Sequence, residues 1–148
     1  MYKRILVTLD GSELAEMVIP HVEVVAEAGY SGVILLHVAP EAEALIENGV
    51  VVAYADQEAE RLTMAAQHYL DRFVERLHAQ GITARSLIRF GAPAAQILEA
   101  AREEDADLIA MTTHGRSGVR RLFYGSVAEE VLRGAVIPIL LVRGGPSG

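Results

Sequence analysis

An α/β fold built on one parallel sheet is predicted by three observations. Short β-branched runs alternate with longer segments of helical period. Strand candidates two, four and five are continuously apolar rather than alternating. The segments come in the order βα, βα, βα, βα, β. Strands separated by helices pair in parallel, with helices on both faces of the sheet. Strands buried on both faces read as uninterrupted apolar runs.

Each element follows from its own residues. Ile5-Leu6-Val7-Thr8-Leu9 is the first strand, ended by Asp10-Gly11-Ser12. From about residue 13 to 28, Leu14, Val18, Val22 and Val25 share one helical face. Pro20 falls inside this helix and predicts a kink, because it removes a backbone hydrogen bond. Gly29 is the expected stop. Val33 to Val38 is the second strand. Residues 39–55, with Pro40 and Asn48-Gly49, read as a loop with at most a helical turn. Ala59, Leu62, Ala66, Tyr69, Leu70, Phe73 and Leu77 repeat at helical spacing up to Gly81, and form a core stripe. Residues 82–90 are the third strand. Gly91-Ala92-Pro93 opens a helix with Pro in its first turn, where the missing N–H does no harm. Leu108 to Met111 is the fourth strand, Val127 to Arg133 a short helix stopped by Gly134, and Ile137 to Val142 the fifth strand. Residues 144–148 are expected to be a disordered tail. One domain is expected.

Composition narrows the function. The 148 residues carry 13 Lys+Arg against 20 Asp+Glu, a net charge of −7. That balance argues against sequence-independent binding to nucleic acid and against an anionic membrane surface. There is no cysteine, which excludes disulfides, thiolate chemistry and zinc-thiolate sites. The apolar run before Asp10 is too short for a signal peptide or a membrane span, so the cytoplasm is the expected location. Lys3 is the only lysine. A Walker-type phosphate loop needs Gly-Lys-Ser/Thr, and Lys3 is not placed to supply it. No Gly-x-Gly, no Gly-x-Ser-x-Gly and no Ser-x-x-Lys occurs. The histidines at 21, 37, 68, 78 and 114 have no metal-like spacing.

In a parallel sheet of this kind, ligands bind beyond the carboxyl ends of the strands, where the strand order reverses. Asp10-Gly11-Ser12 follows strand one, and Val38-Ala39-Pro40 lies at the end of strand two. After strand four comes Thr112-Thr113-His114-Gly115-Arg116-Ser117-Gly118, running through Arg120 and Arg121 to Gly125-Ser126 at a helix start. Helix N-termini attract anions, and glycines let the backbone approach a phosphate. Arg116, Arg120 and Arg121 stand in a stretch without acids, from 108 to 128. A phosphate-binding loop is the functional reading.

These residues carry a family likeness. Ile5 to Ser12, Leu36-His37-Val38, Ala106 to Ile109, His114 to Gly118, Gly125 to Glu129 and Ile137 to Arg143 together resemble a single-domain universal stress protein, with a domain over 1–143. The resemblance implies a Rossmann-like sheet of the adenine nucleotide alpha hydrolase kind, five parallel strands in the order 3-2-1-4-5. It implies a stress or signalling protein that binds ATP, with or without Mg, and has at most weak hydrolysis. The family's nucleotide-binding branch carries Gly-x-x-Gly, nine residues, then Gly-Ser/Thr. Gly115 matches the second glycine, nine residues separate it from Gly125, and Ser126 follows. Thr112 stands where the first glycine belongs. Its γ-branch would crowd the ribose or α-phosphate, or its hydroxyl would contact the ligand. By the same resemblance Asp10 contacts the ribose, and the Val38 backbone reads the adenine edge. Gly115, Gly125, Ser126 and the Val127 N–H hold the phosphates. Thr8, Met111, Arg116 and Gly118 complete the candidate set. The last strand, Ile137 to Val142, would pair across a two-fold axis into a homodimer.

Simpler readings stand beside these. Ser126-x-x-Glu129 has the pattern of a capping box. Asp10 also fits an Asx-turn. Gly115 and Gly118 also fit ordinary turns. His37 reads as a satisfied core histidine, and no catalytic residue is assigned. The alternatives in function are a dimeric interaction protein of the same fold that has lost nucleotide binding, and a slow ATPase.

Overall fold

The computed structural model describes residues 1–114 and 125–144. The expected glycines and arginines at 115, 116, 118, 120 and 121, and the tail from 145, lie outside the described residues. The elements run β1 (Arg4–Thr8), α1 (Glu13–Glu16), α2 (Ile19–Gly29), β2 (Gly32–Ala39), β3 (Leu45–Glu47), β4 (Val50–Ala53) and α3 (Ala55–Ala79). They continue as β5 (Ala84–Phe90), α4 (Pro93–Glu103), β6 (Leu108–His114), α5 (Ser126–Gly134) and β7 (Ile139–Gly144).

β5, β2, β1, β6 and β7 form one sheet in that order, every pair parallel. Counted among the strands of this sheet alone, the order is the expected 3-2-1-4-5. The inserted β3–β4 hairpin shifts only the numbering.

Alternation of side chains splits the core in two. Ile5, Val7 and Leu9, with Val33, Leu35, Leu108 and Ala110, face α2 and α3. Leu6, Ile34, Leu36, Ile109 and Met111 face α4 and α5. β1, β2 and β6 therefore bury successive residues on opposite faces, the physical origin of their unbroken apolar runs. Burying a side chain of this size is worth about 1.5–3 kcal/mol.

Three expectations are corrected. The helix expected over 13–28 is two helices. The first ends in a tight turn, with Met17 N–H donating to Leu14 C=O at 3.1 Å. Pro20 then sits in the first turn of α2, where no donor is needed, so it restarts a helix rather than kinking one. The segment expected as a loop holds the β3–β4 hairpin. Asn48 and Gly49 both take positive φ, 51° and 78°, the geometry of a two-residue hairpin turn. The Asn-Gly pair between apolar residues was the legible signal for it. The last strand starts at Ile139, after Pro138, and includes Gly144, which the expected tail had claimed.

α2 is fixed to α3 by a partly buried ion pair. Arg76 donates through Nε and Nη2 to both oxygens of Glu23, at 2.8 and 2.9 Å, and the Gln80 amide donates to the same carboxylate. The Arg76 bond holds the Glu23 carboxyl below its ordinary value of 4.5, against the opposing effect of burial. Asp107 closes the start of β1. Burial raises its carboxyl, but the N–H groups of Lys3 and Arg4 outweigh that and hold it below its ordinary value. Among the described residues no helix is long and apolar enough to cross a membrane.

Glu23→Ala should lower unfolding free energy by about 1–3 kcal/mol, because Arg76 and Gln80 lose a charged acceptor. The folded-state value of Glu23 is depressed, so its contribution is complete above the ordinary value and disappears as pH falls through the folded value. Urea titrations at descending pH should show a shallower acid limb for Glu23→Gln than for the wild type.

Candidate functional site

The chain leaves β1 for β2 and β5 on one side, then returns to β6 and β7 on the other. The carboxyl ends of β1 and β6 thus diverge, and a cleft of about 180 Å³ opens there. Its floor and walls are apolar: Leu9, Leu36, Ile97 and Met111 are buried side chains, and Ala15, Val38, Pro93 and Val127 complete the apolar lining. Its polar groups come from Thr8, Asp10 and Thr112. Such a site accepts a flat apolar body and offers polar contacts along one side.

Six of the sequence-predicted residues, Thr8, Asp10, Val38, Met111, Thr112 and Val127, meet in this cleft. Gly125 and Ser126 lie next to it, at the start of α5. Sequence reasoning missed Leu9, Ala15, Leu36, Pro93 and Ile97. All but Ala15 were legible only as core or helix-start residues, since nothing marks an apolar residue as lining a cleft rather than filling it.

The β1–α1 connection is held by local side-chain hydrogen bonds. Ser12 donates its N–H and hydroxyl to Asp10 Oδ1, at 2.9 and 2.5 Å, forming the Asx-turn. The Ser12 hydroxyl in turn accepts the Ala15 N–H at 3.1 Å and caps α1. Both Asp10 bonds end on one oxygen, so the turn and a ligand contact through Oδ2 are compatible.

The capping-box expectation for Ser126 is corrected. Gly125 occupies the cap position and Ser126 the first helical position. Glu129 N–H bonds to Gly125 C=O at 3.0 Å, and among the described residues no side chain closes the cap. The early N–H groups of α5 therefore keep the positive end of the helix beside Val127, which lines the cleft.

Thr112 turns its hydroxyl to α1, donating to the Ala15 carbonyl at 3.1 Å. Its methyl packs toward Gly144 of β7: a Cβ built on Gly144 would stand 2.6 Å from Thr112 Cγ2 and 2.4 Å from Leu14 Cδ1. Thr112 is thus held between α1 and β7.

A second set of groups holds the same connection from α3. The Tyr69 hydroxyl donates to Glu16 Oε2 at 2.9 Å, and Arg72 Nη2 lies 3.6 Å from that oxygen. Burial pushes the Tyr69 hydroxyl well above its ordinary value, and the Glu16 bond and charge add to the effect. His37 donates through Nδ1 to the Leu9 carbonyl at 2.8 Å and meets the Tyr69 ring edge-on at 6.1 Å. That is the satisfied histidine the sequence suggested. Among the described residues no group of three or more His, Cys, Asp or Glu is placed to hold a metal ion.

A five-stranded parallel sheet with a cleft at its switch point defines a Rossmann-like α/β domain. Residues 1–143 match the universal stress protein family, and the chain belongs to that family. It is 30% identical to universal stress protein MJ0577 of Methanocaldococcus jannaschii, over 97% of this chain and 96% of that protein. It is 26% identical to universal stress protein YxiE of Bacillus subtilis, over 97% of this chain and all of that one. The solved structure of MJ0577 superposes with a TM-score of 0.81, covering 99% of both chains. A universal stress protein solved in complex with cAMP shares the fold, with a TM-score of 0.72 at 21% identity over 97% of this chain and 98% of that one.

Tyr69→Phe should destabilise the protein by about 1 kcal/mol, because Glu16 loses a hydrogen-bond donor in a partly buried site. Denaturant unfolding beside Glu16→Gln, and the double variant, should show the two losses to be non-additive.

Proposed function

We propose that this chain binds an adenine nucleotide, ATP with or without Mg²⁺, in the cleft between β1 and β6, and acts as a stress-response or signalling protein rather than a robust catalyst. One observation carries the reading: Asp10, Val38, Thr112 and the start of α5 converge on a single apolar cleft at the switch point. Related folds solved with cAMP and with dAMP support the ligand class.

The roles follow from chemistry. The apolar walls take the base, and the Val38 backbone reads its edge. Asp10, fixed by Ser12, accepts from the ribose hydroxyls. The N–H groups at Ser126 and Val127 meet phosphate oxygens at the positive end of α5, joined by Gly115, Gly118 and Gly125. Arg116 supplies positive charge, and Thr8 and Met111 shape the walls. Thr112 is compatible with this reading because its hydroxyl is bonded to Ala15. Two chains pair through β7 as a homodimer in the cytoplasm, with neither nucleic acid nor membrane as partner.

Titration with Mg-ATP followed by thermal unfolding tests the site. Ligand at 100 times its Kd should add about 2.7 kcal/mol of stability. Asp10→Ala and Gly125→Val should abolish the shift, each read against that variant's own unliganded melting temperature. No shift at millimolar ATP would instead favour a dimeric interaction protein that has lost the ligand. ADP release over hours above the blank would favour a slow ATPase. Light scattering at micromolar concentration should give the dimer mass, and a clean monomer would refute the β7 pairing.

A further inference from the structure

Among the described residues Asp10 is the only charged side chain that lines the cleft. The backbone on each side of it is tied to a side chain from behind the sheet. Before it, Leu9 N–H donates to the Leu36 carbonyl at 2.9 Å, and the Leu9 carbonyl accepts from His37 Nδ1 at 2.8 Å. After it, the Gly11 N–H donates to the Tyr69 oxygen. Gly11 has a φ of 92°, a conformation that favours glycine, and nothing stands within 4 Å of where its Cβ would be. Packing does not hold this residue, so the Tyr69 hydroxyl supplies the restraint.

The two anchors form one unit. His37 meets Tyr69 edge-on with 6.1 Å between ring centres, and Tyr69 meets Phe73 edge-on at 5.5 Å. The Arg72 guanidinium lies 5.6 Å from the centre of the Tyr69 ring and 4.9 Å from that of Phe73. The Tyr69 hydroxyl commits its one proton to Glu16 Oε2, and its oxygen is left to accept from Gly11. Neither His37 nor Tyr69 is among the described residues that line the cleft. A ligand there would touch neither of them, and would meet Asp10 where they place it.

We propose that Tyr69 and His37 are positioning residues for ribose recognition, fixing Gly11 and Leu9 and so the point at which the free oxygen of Asp10 stands in the cleft. The inference rests on the nucleotide reading of the cleft given above. The bonds from Ser12 fix the Asp10 carboxylate within its own turn. His37 and Tyr69 fix that turn relative to the sheet. Recognition groups need placing to within about 0.5 Å, which takes supporting bonds from outside the turn.

Calorimetric titration of the full chain with Mg-ATP and with Mg-dideoxy-ATP, which lacks both ribose hydroxyls, tests this. The wild type should bind ATP about tenfold more tightly than the dideoxy nucleotide, the worth of a hydrogen bond to a carboxylate. Tyr69→Phe should weaken ATP and leave the dideoxy affinity unchanged, so that the preference falls to about threefold or less. His37→Leu should do the same. His37→Asn, which keeps a donor near the Nδ1 position, should retain the wild-type preference. A merely structural loss would weaken both nucleotides alike. That result, or an unchanged preference in both Tyr69→Phe and His37→Leu, would overturn this proposal alone. Failure of the wild type to bind either nucleotide would overturn the reading of the cleft together with it.

Discussion

Burial of β1, β2 and β6 on both faces is the constraint on which the rest of the molecule depends. A strand covered above and below has no position for an unpaired polar side chain, so chemistry is driven to its ends. Ile5, Leu6, Val7, Leu35, Leu36, Ile109 and Ala110 are all almost or wholly inaccessible. The polar residues of the cleft, Thr8, Asp10 and Thr112, stand beyond Val7 and Ala110, the last pair that joins β1 to β6. The sheet's topology then decides which ends lie apart, and the divergence of β1 and β6 leaves the cleft.

Two layers of fixing surround that cleft. Ser12 holds Asp10 locally through an Asx-turn. Glu16, one turn on, is held from across the fold by Tyr69 and Arg72 of α3. α1 has only four residues and could not hold its position through backbone bonds alone. Its placement comes from side-chain bonds made to α3 on one side and from Thr112 on the other. Bonds of this kind are individually worth about 1 kcal/mol, and they act by restricting geometry more than by adding stability.

Most of the fold was legible because its signals are local. Continuous apolar runs identified β2, β6 and β7, and the 3.6-residue stripe through Ala66, Leu70, Phe73 and Leu77 identified α3. The errors came where two local signals competed. Pro20 within an apolar helical pattern supports a kink or a restart, and the difference lies in the tight turn at Met17. Ser126 and Glu129 have the spacing of a capping box, yet Gly125 takes the cap because the helix starts one residue earlier. The polar half of the cleft was legible from residues that follow strands. The apolar half was not, since Leu36 and Ile97 differ from core residues only by what stands opposite them in space.

Gly144 joins parts of the molecule that are otherwise separate. It ends the edge strand β7 in register with His114, and its missing Cβ makes room for Leu14 of α1 and the methyl of Thr112. Thr112 and Ala15 are both walls of the cleft. The outermost strand and the cleft wall therefore share one point of contact, without an intervening layer. Displacement of β7 at that glycine would be felt directly by the wall, so the cleft is mechanically in series with the edge of the sheet.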